Sequence, residues 1–194
     1  MIEPGCKVRL SIDYYKLNKT MIKSYQNYKL GYIFLFIGLL ASTYLINTSN
    51  KLTICSIFFS MTLLASNVLV QLYGREAAIK SYITCILCNI ALYGSSLNLM
   101  LAVSFIAILT SQLVCMQIFL YLKSSKNFLI ASLLSALIAL LVDEFIMALG
   151  IYSYIFTGNK ILYIVSKSFL QKAVYLVIFV KSYCKIFGME RKIN

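Results

Sequence analysis

Long apolar runs without any charge alternate with short polar segments along this chain. No charged residue occurs in 30–50, 52–74, 81–122 or 127–142. A transmembrane helix needs about 20 predominantly apolar residues, so most of these runs can cross a bilayer once and the third can cross it twice. The runs are continuously apolar rather than alternating in character, which favours helices over a membrane β-barrel.

Polar breaks divide these runs into six predicted spans. Gly94-Ser95-Ser96 forms the turn-like interruption within 81–122, where Gly and Ser favour a reversal of the chain. The only proline is Pro4, so no proline kink is expected within a span. We therefore predict an all-α membrane protein built as a six-helix bundle. The predicted spans are 30–47, 53–73, 78–94, 98–122, 128–152 and 161–182.

Basic residues fall mainly on one side of this predicted topology. Fourteen lysines and arginines lie in the N-terminal segment, the second and fourth loops and the C-terminal end, against Lys51 and Lys160 on the other side. Cytoplasmic loops of membrane proteins carry the excess of Lys and Arg. This asymmetry predicts a multi-pass protein of the cell (inner) membrane with both termini in the cytoplasm.

One transmembrane domain is expected, flanked by two cytoplasmic segments. The predicted boundaries are 1–29 for a basic N-terminal segment, 30–182 for the six-helix transmembrane domain and 183–194 for a C-terminal tail. Six spans of about 20 residues joined by short loops account for nearly all of the central region.

Composition agrees with a membrane environment. Of 194 residues, 61% are hydrophobic, whereas soluble domains contain about 45–50% apolar residues. The net charge of +12 would suggest a nucleic-acid partner in a soluble protein. Here the basic residues form small groups between uncharged runs, which is typical of topology signals and attraction to anionic lipid. We predict the lipid bilayer as a partner and no nucleic acid.

Cofactor and enzyme chemistry find little support in the sequence. The chain has no histidine, and Cys85 and Cys88 have CxxC spacing without a second pair. A structural zinc site needs four ligands, so we interpret these cysteines as small apolar residues and predict no metal and no cofactor. No serine or cysteine stands beside a plausible base, which argues against a membrane enzyme.

Four ionisable residues fall inside the last two predicted spans: Asp143, Glu144, Lys167 and Lys172. Each charge at a helix centre costs about 2.5–3.5 kcal/mol on insertion scales. A short loop joins the two spans, and Asp143 and Lys172 lie at similar distances from it, so we predict that they pair. Lys167 can extend to the outer interface. Glu144, about 100° further round the helix than Asp143, is free to face elsewhere.

Two interpretations of these charges remain open. They are either structural, as an ion pair that fixes the register of the helices or as charges that neutralise through shifted pKa values, or part of a polar substrate or ion site that faces a cavity. Membrane amides leave the same choice. Asn67 and Gln71 lie four residues apart and Gln112 lies in the fourth span. Such amides either join helices by hydrogen bonds or bind a ligand with donors and acceptors on a flat edge, such as a nucleobase.

A family resemblance rests on polar residues at particular places in the spans. Segment 59–80, FSMTLLASNVLVQLYGREAAIK, contains Asn67 and Gln71 before an aromatic-glycine-basic step. Segment 111–148 places Gln112 in the fourth span and Asp143 eight residues after a serine in the fifth, and Lys172 lies in the sixth. Over roughly 35–182 the chain resembles the queuosine precursor transporters, also called the vitamin uptake transporter (VUT) family. It would be a divergent member, because Asn67, Gln71 and Cys115 stand where the family has acidic or more polar groups.

The resemblance implies a fold and a function. The fold would resemble the substrate-binding subunits of energy-coupling factor transporters. The function would be nucleobase uptake, with a 7-deazaguanine base such as preQ0, preQ1 or queuine as the small-molecule substrate. Asn67, Gln71 and Gln112 would hydrogen-bond the edge of the base, Asp143 would accept from its N–H groups, and Lys172 would neutralise and orient Asp143. A coupling subunit or oligomerisation remains open. The alternatives are a divergent or non-transporting membrane subunit and, ranked lower, a membrane enzyme.

Overall fold

A computed structural model describes residues 29–49, 51–94, 98–152 and 158–187 of the chain. These residues form six helices, and a π-helical turn, Ala148–Tyr152, continues the fifth. Each predicted span coincides with a helix to within a few residues, so the all-α prediction is confirmed. The helices are α1 (Lys29–Thr48), α2 (Leu52–Tyr73), α3 (Arg75–Tyr93), α4 (Leu99–Leu122), α5 (Phe128–Met147) and α6 (Gly158–Phe187).

The chain divides into two compact units, Met1–Leu35 and Phe36–Asn194. The described part of the first unit is the opening of α1, from Lys29 to Leu35. The second unit contains the rest of α1 and helices α2 to α6, and it holds every residue of the candidate site.

Within the described residues, five helices are long and apolar enough to cross a membrane: α1, α2, α4, α5 and α6. This agrees with a multi-pass membrane protein. The remaining helix, α3, has 19 residues and begins with Arg75 and Glu76. At 1.5 Å per residue it would extend about 28 Å, close to the thickness of a bilayer core. It is nevertheless not among the helices apolar enough to count as a span, so the sixth span remains a prediction.

Local sequence explains where several helices begin and end. Gly74 alone separates α2 from α3 and adopts φ = 86° and ψ = 169°, a conformation that is accessible essentially to glycine. Asn98 accepts a hydrogen bond from the Leu101 N–H at 2.9 Å, and Asn127 accepts one from the Ile130 N–H at 3.2 Å. Each asparagine therefore caps the first turn of the helix that follows it, α4 and α5.

Helix α2 packs against α3, α4, α5 and α6, while α4 packs on α5 and α5 on α6. The outer surface is apolar, with exposed side chains such as Phe145 and Leu170. The interior contains many small hydroxyl residues, which let membrane helices approach closely. Several buried serines lie on α2 or on helices that contact it: Ser56, Ser60, Ser66, Ser111, Ser132, Ser135 and Ser168.

The π-helical turn after α5 lies directly against α4. Gly150 is the residue in contact, because a Cβ placed on it would overlap Cγ1 of Val103 and would crowd Cγ2 and Cβ of the same side chain. Valine is β-branched and has little rotamer freedom in a helix, so it cannot easily move aside. The close approach of the two segments therefore depends on the missing side chain of Gly150.

Replacing Gly150 with alanine should destabilise the bundle, since forcing an extra methyl group into a packed contact costs about 1–3 kcal/mol. The midpoint of thermal unfolding in detergent, followed by circular dichroism, measures the change. Gly38→Ala is the matched control, because no atom lies within 4 Å of the added Cβ at that exposed helical position. The double variant Gly150→Ala with Val103→Ala should recover much of the lost stability; failure to do so would contradict the steric explanation.

Candidate functional site

An ion cluster joins α5 to α6 inside the bundle. The Lys172 ammonium donates to Asp143 Oδ2 and to Glu144 Oε1, each at 2.6 Å. The predicted pair of Asp143 and Lys172 is therefore present. The expectation that Glu144 could face elsewhere is corrected, because its carboxylate binds the same ammonium. Helix α6 packs against the part of the α5 surface between Asp143 and Glu144. The Lys172 ammonium has three N–H donors, so it can bind both carboxylates.

Neighbouring side chains hold Lys172 in this position. Ser168, one turn earlier on α6, donates to Glu144 Oε1 at 2.5 Å. Ser60 of α2 donates to the backbone carbonyl of Lys172 at 2.8 Å, which brings α2 and α6 close together. The ammonium also lies 4.6 Å from the centre of the Phe59 ring, within the range of a cation–π interaction.

All three charged residues are removed from the surface. Their exposed fractions are 3% for Asp143, 2% for Glu144 and 7% for Lys172. Removing ions from water costs several kcal/mol per ion, and the attraction between them offsets this only with close geometry and additional hydrogen bonds. The short contacts within the cluster provide both. The opposite charges therefore stabilise each other inside an apolar bundle, where a charge of either sign alone would be strongly unfavourable.

A cavity of about 130 Å³ opens beside the cluster, between α1, α2, α4, α5 and α6. Its polar lining residues are Cys55, Ser104, Asp143, Ser168 and Lys172, and the remaining lining is apolar. Pockets for drug-sized ligands usually measure about 300–1,000 Å³, so this cavity is small, although it can hold several water molecules. Asp143 and Lys172 therefore face a partly polar cavity as well as each other.

Gln112 lies deeper in the bundle, on α4 against α2. Its Nε2 donates to Thr62 Oγ1 at 3.0 Å, and its Oε1 accepts from the Ser66 hydroxyl at 2.7 Å. Gln112 and Ser66 are fully buried, and Thr62 is 1% exposed. The amide thus uses both of its polar ends on two hydroxyls of one neighbouring helix.

Asn67 belongs to a second buried amide cluster, which contacts α4 and α5. Its Nδ2 donates to Ser135 Oγ at 3.2 Å, and its Oδ1 accepts from the Cys115 thiol at 3.5 Å. Gln71, four residues further along α2, has an exposed side chain. The shared helical face predicted for Asn67 and Gln71 therefore does not give them a shared environment.

The structure thus sorts the five predicted site residues into three groups. Asp143 and Lys172 line the cavity, Gln112 and Asn67 lie in separate buried clusters, and Gln71 lies on the surface. The sequence interpretation missed the hydroxyl partners of these residues. A signal for them exists, because α2 carries polar side chains at helical spacing along its buried face: Ser56, Ser60 and Asn67 on one line, and Thr62 and Ser66 on the next.

Lys167 differs from Lys172 although both lie on α6. Its side chain is exposed, and its ammonium lies 5.9 Å from the centre of the Tyr163 ring. The expected extension of Lys167 to the surface agrees with this position. The two lysines therefore make a matched pair, one buried in the ion cluster and one outside it.

Within the ranges that the structure describes, no group of three or more His, Cys, Asp or Glu side chains is arranged to hold a metal ion. The cysteines of the CxxC segment are free thiols, with Cys85 buried and Cys88 partly exposed. The polar groups available at the cavity are thus carboxylate, ammonium, hydroxyl and thiol. These groups can exchange hydrogen bonds and protons with a small polar ligand.

Comparisons with protein-family models, with curated proteins and with solved structures found no match to this chain. The resemblance to queuosine precursor transporters therefore stays a prediction from the sequence.

Replacing Lys172 with methionine should destabilise the folded protein markedly, because two buried carboxylates lose their only ammonium partner within the described site. Breaking a buried ion pair by removing one partner costs about 3–5 kcal/mol. The loss is measured as a lower midpoint of thermal unfolding in detergent. Lys167→Met, which removes an exposed charge from the same helix, should change the stability by less than about 0.5 kcal/mol. Equal shifts for the two variants would rule out a stabilising role for the ion cluster.

Proposed function

We propose that this chain is a membrane transporter that takes up a queuosine precursor, a 7-deazaguanine base such as preQ0, preQ1 or queuine, or a related purine-like molecule. The observation that carries the proposal is the convergence of Asp143 and Lys172, from two helices, on a partly polar cavity within an apolar bundle. Intramembrane ionisable residues usually mark substrate or ion pathways. The sequence resemblance supplies the class of substrate.

The proposed recognition begins at the cavity. The Asp143 carboxylate accepts hydrogen bonds from ring or amino N–H groups of the base, and Lys172 neutralises and orients that carboxylate. Hydrogen bonds to a charged group contribute about 1.5–3 kcal/mol each, enough to select a ligand with several donors. Ser104 and Ser168 line the same cavity. Their hydroxyl groups donate to Asn47 Oδ1 and Glu144 Oε1, so each hydroxyl oxygen can accept a further hydrogen bond from the base.

The deeper amides form the second part of the proposed path. Gln112 and Asn67 bind hydroxyl groups of Thr62, Ser66 and Ser135. A hydroxyl and the edge of a base offer the same kinds of donor and acceptor, so a base can replace these partners one by one. Entry requires the cavity to widen toward Gln112, because about 130 Å³ is below the usual volume of a ligand pocket. Gln71 would contact the base only near the end of this route.

Orientation in the membrane is part of the same proposal. If the chain crosses the inner membrane six times with both termini on the cytoplasmic side, the connections near Lys51 and Lys160 face outward. Ile46, Leu52 and Met147 line the cavity near the ends of their helices on that side. The cavity would therefore open outward, as an uptake site requires. The bundle would correspond to the substrate-binding subunits of energy-coupling factor transporters, with a coupling subunit as a possible partner.

The topology predicts the outcome of C-terminal fusions. Green fluorescent protein fused after Asn194 should fluoresce and alkaline phosphatase fused there should be inactive, because six spans return the chain to the cytoplasm. Identical N-terminal fusions of green fluorescent protein provide the reference. A phosphatase that is active at the C-terminus, together with a cytoplasmic N-terminus, would mean an odd number of spans and would remove α3 from the membrane.

Uptake of labelled 7-deazaguanine bases tests the function directly. Cells that lack their own uptake route should accumulate the base, and queuosine should appear in their tRNA, only when they express this chain. Asp143→Asn should lower uptake by about tenfold or more, since it removes a charged hydrogen-bond acceptor contributing about 1.5–3 kcal/mol. Transport is measured at matched amounts of membrane-inserted protein.

Lys167→Met serves as the control for that experiment, because Lys167 lies outside the cavity and should leave uptake unchanged. No uptake of any of the three bases by the unaltered chain would contradict the proposed substrate class. Purified protein that also fails to bind them would favour the alternative of a non-transporting membrane subunit.

A further inference from the structure

The ion cluster contains an imbalance of charge. Asp143 and Glu144 carry two negative charges when both are ionised, and Lys172 carries one positive charge. The sum is one uncompensated negative charge on residues that are at most 7% exposed. An isolated buried carboxylate is so unfavourable in an apolar medium that the group usually takes up a proton instead. The cluster therefore requires one further cation.

One oxygen atom marks where this cation would bind. Glu144 Oε1 accepts hydrogen bonds from both Lys172 and Ser168, whereas Glu144 Oε2 is buried and has no hydrogen-bond partner among the described residues. A charged oxygen that is buried without a donor has the full desolvation penalty. A protonated carboxyl group carries no charge, so its unpaired oxygen has a much smaller desolvation penalty.

Asp143 is the less favourable position for a proton. It lines the cavity of about 130 Å³, which is large enough for water, and accepts from Lys172 through Oδ2. Its charge can therefore be hydrated and paired. Glu144 instead lines a groove between α5 and α6 whose other walls are almost entirely apolar. The exposed Phe145 and Leu170 at the edges of this groove face the exterior of the bundle.

A proton suits this place better than a metal ion does. Hard metal cations require several oxygen ligands at once. Around Glu144 the groove offers mainly side chains of Leu141, Ala148, Val165 and Phe169, with Ser166 as its other polar residue. A proton needs only the one oxygen. No metal-holding group of His, Cys, Asp and Glu side chains is present in the described ranges.

Other ionisable groups near the cluster do not supply the missing charge. From α6, Lys172 is already counted and Lys167 is exposed. From α2, Cys55 lines the cavity as a thiol, which adds no positive charge. The residues of α1 and α4 that line the cavity are Ile46, Ser104 and Ile108, none of which is basic or acidic.

We propose that Glu144 is a proton-binding site: the folded protein holds one dissociable proton on Glu144 Oε2 at neutral pH. The inference concerns the protein whether or not it transports a nucleobase. It assigns the neutralisation of buried charge, which the sequence left open for four residues, to one oxygen atom of one residue. Buried carboxylates of this kind form the proton relays of membrane pumps and carriers.

Infrared spectroscopy of the unaltered protein tests the proposal. At pH 7 in a detergent without carbonyl groups, the protein should show one C=O stretching band of a protonated carboxylic acid. The band should shift when the protein is made with glutamate labelled with carbon-13 at the side-chain carboxyl. It should not shift with aspartate labelled in the same way. Because this comparison uses no substitution, a folding defect cannot confuse it.

Two variants then locate the proton on one of the four glutamates. Glu144→Gln, which has nearly the same shape, should abolish the band, while Glu76→Gln, at an exposed position on α3, should leave it intact. Absence of the band in the unaltered protein, a shift with labelled aspartate, or persistence of the band in folded Glu144→Gln would each overturn the proposal. None of these results depends on nucleobase uptake, so failure of the transport proposal would be recognised separately.

Discussion

Neutralisation of buried charge is the constraint on which the rest of this bundle depends. Asp143, Glu144 and Lys172 lie where water is nearly excluded, and each would be strongly unfavourable alone. Their short contacts fix the rotation of α5 and α6 about their axes, because only one rotation directs all three side chains inward. The hydrogen bond from Ser60 to the Lys172 carbonyl then fixes α2 against α6. A single electrostatic requirement thus orders three helices.

The distribution of polarity differs from that in a soluble helical domain. Large apolar side chains such as Phe145 and Leu170 are exposed, and small hydroxyl and amide side chains share the interior with apolar ones. Apolar burial cannot drive association of helices in lipid, since lipid tails are equally apolar. Close packing and interhelical hydrogen bonds, such as those of Gln112 with Thr62 and Ser66, perform that role. The same groups that hold the helices together therefore constitute the polar surface available to a ligand.

The same polar residues can hold helices together and bind a ligand, so the structural and the functional interpretation both apply to them. An amide that joins two helices through hydroxyl groups can exchange them for a base, and an ion pair beside a cavity can exchange contacts with a substrate. The cavity lies beside Asp143 and Lys172. None of the residues that line it belongs to the clusters of Gln112 or Asn67, and this distinguishes the ion cluster from the two amide clusters. Glu144 has a different position again, since it joins the ammonium on one side and an apolar groove on the other.

The sequence by itself determined the helices, their approximate ends and the depth of the charged residues. These properties follow from local composition, because an apolar run and its polar borders define a span without reference to other helices. Depth and a short connection were enough to predict that Asp143 and Lys172 meet. The weakest span prediction, α3, came from the length of an uncharged run, although its first turn is charged and its composition is less apolar.

Only the tertiary structure decided which way each helix is turned and what covers each face. It brought Glu144 to Lys172, placed Asn67 beside Ser135, and left Gln71 exposed one turn from the buried Asn67. Helical spacing predicts which residues share a face, but not how far along that face the neighbouring helices extend. The contacts that determine how each helix is rotated and which residues are covered join residues far apart in the chain. The pattern of residues within one span therefore cannot predict them.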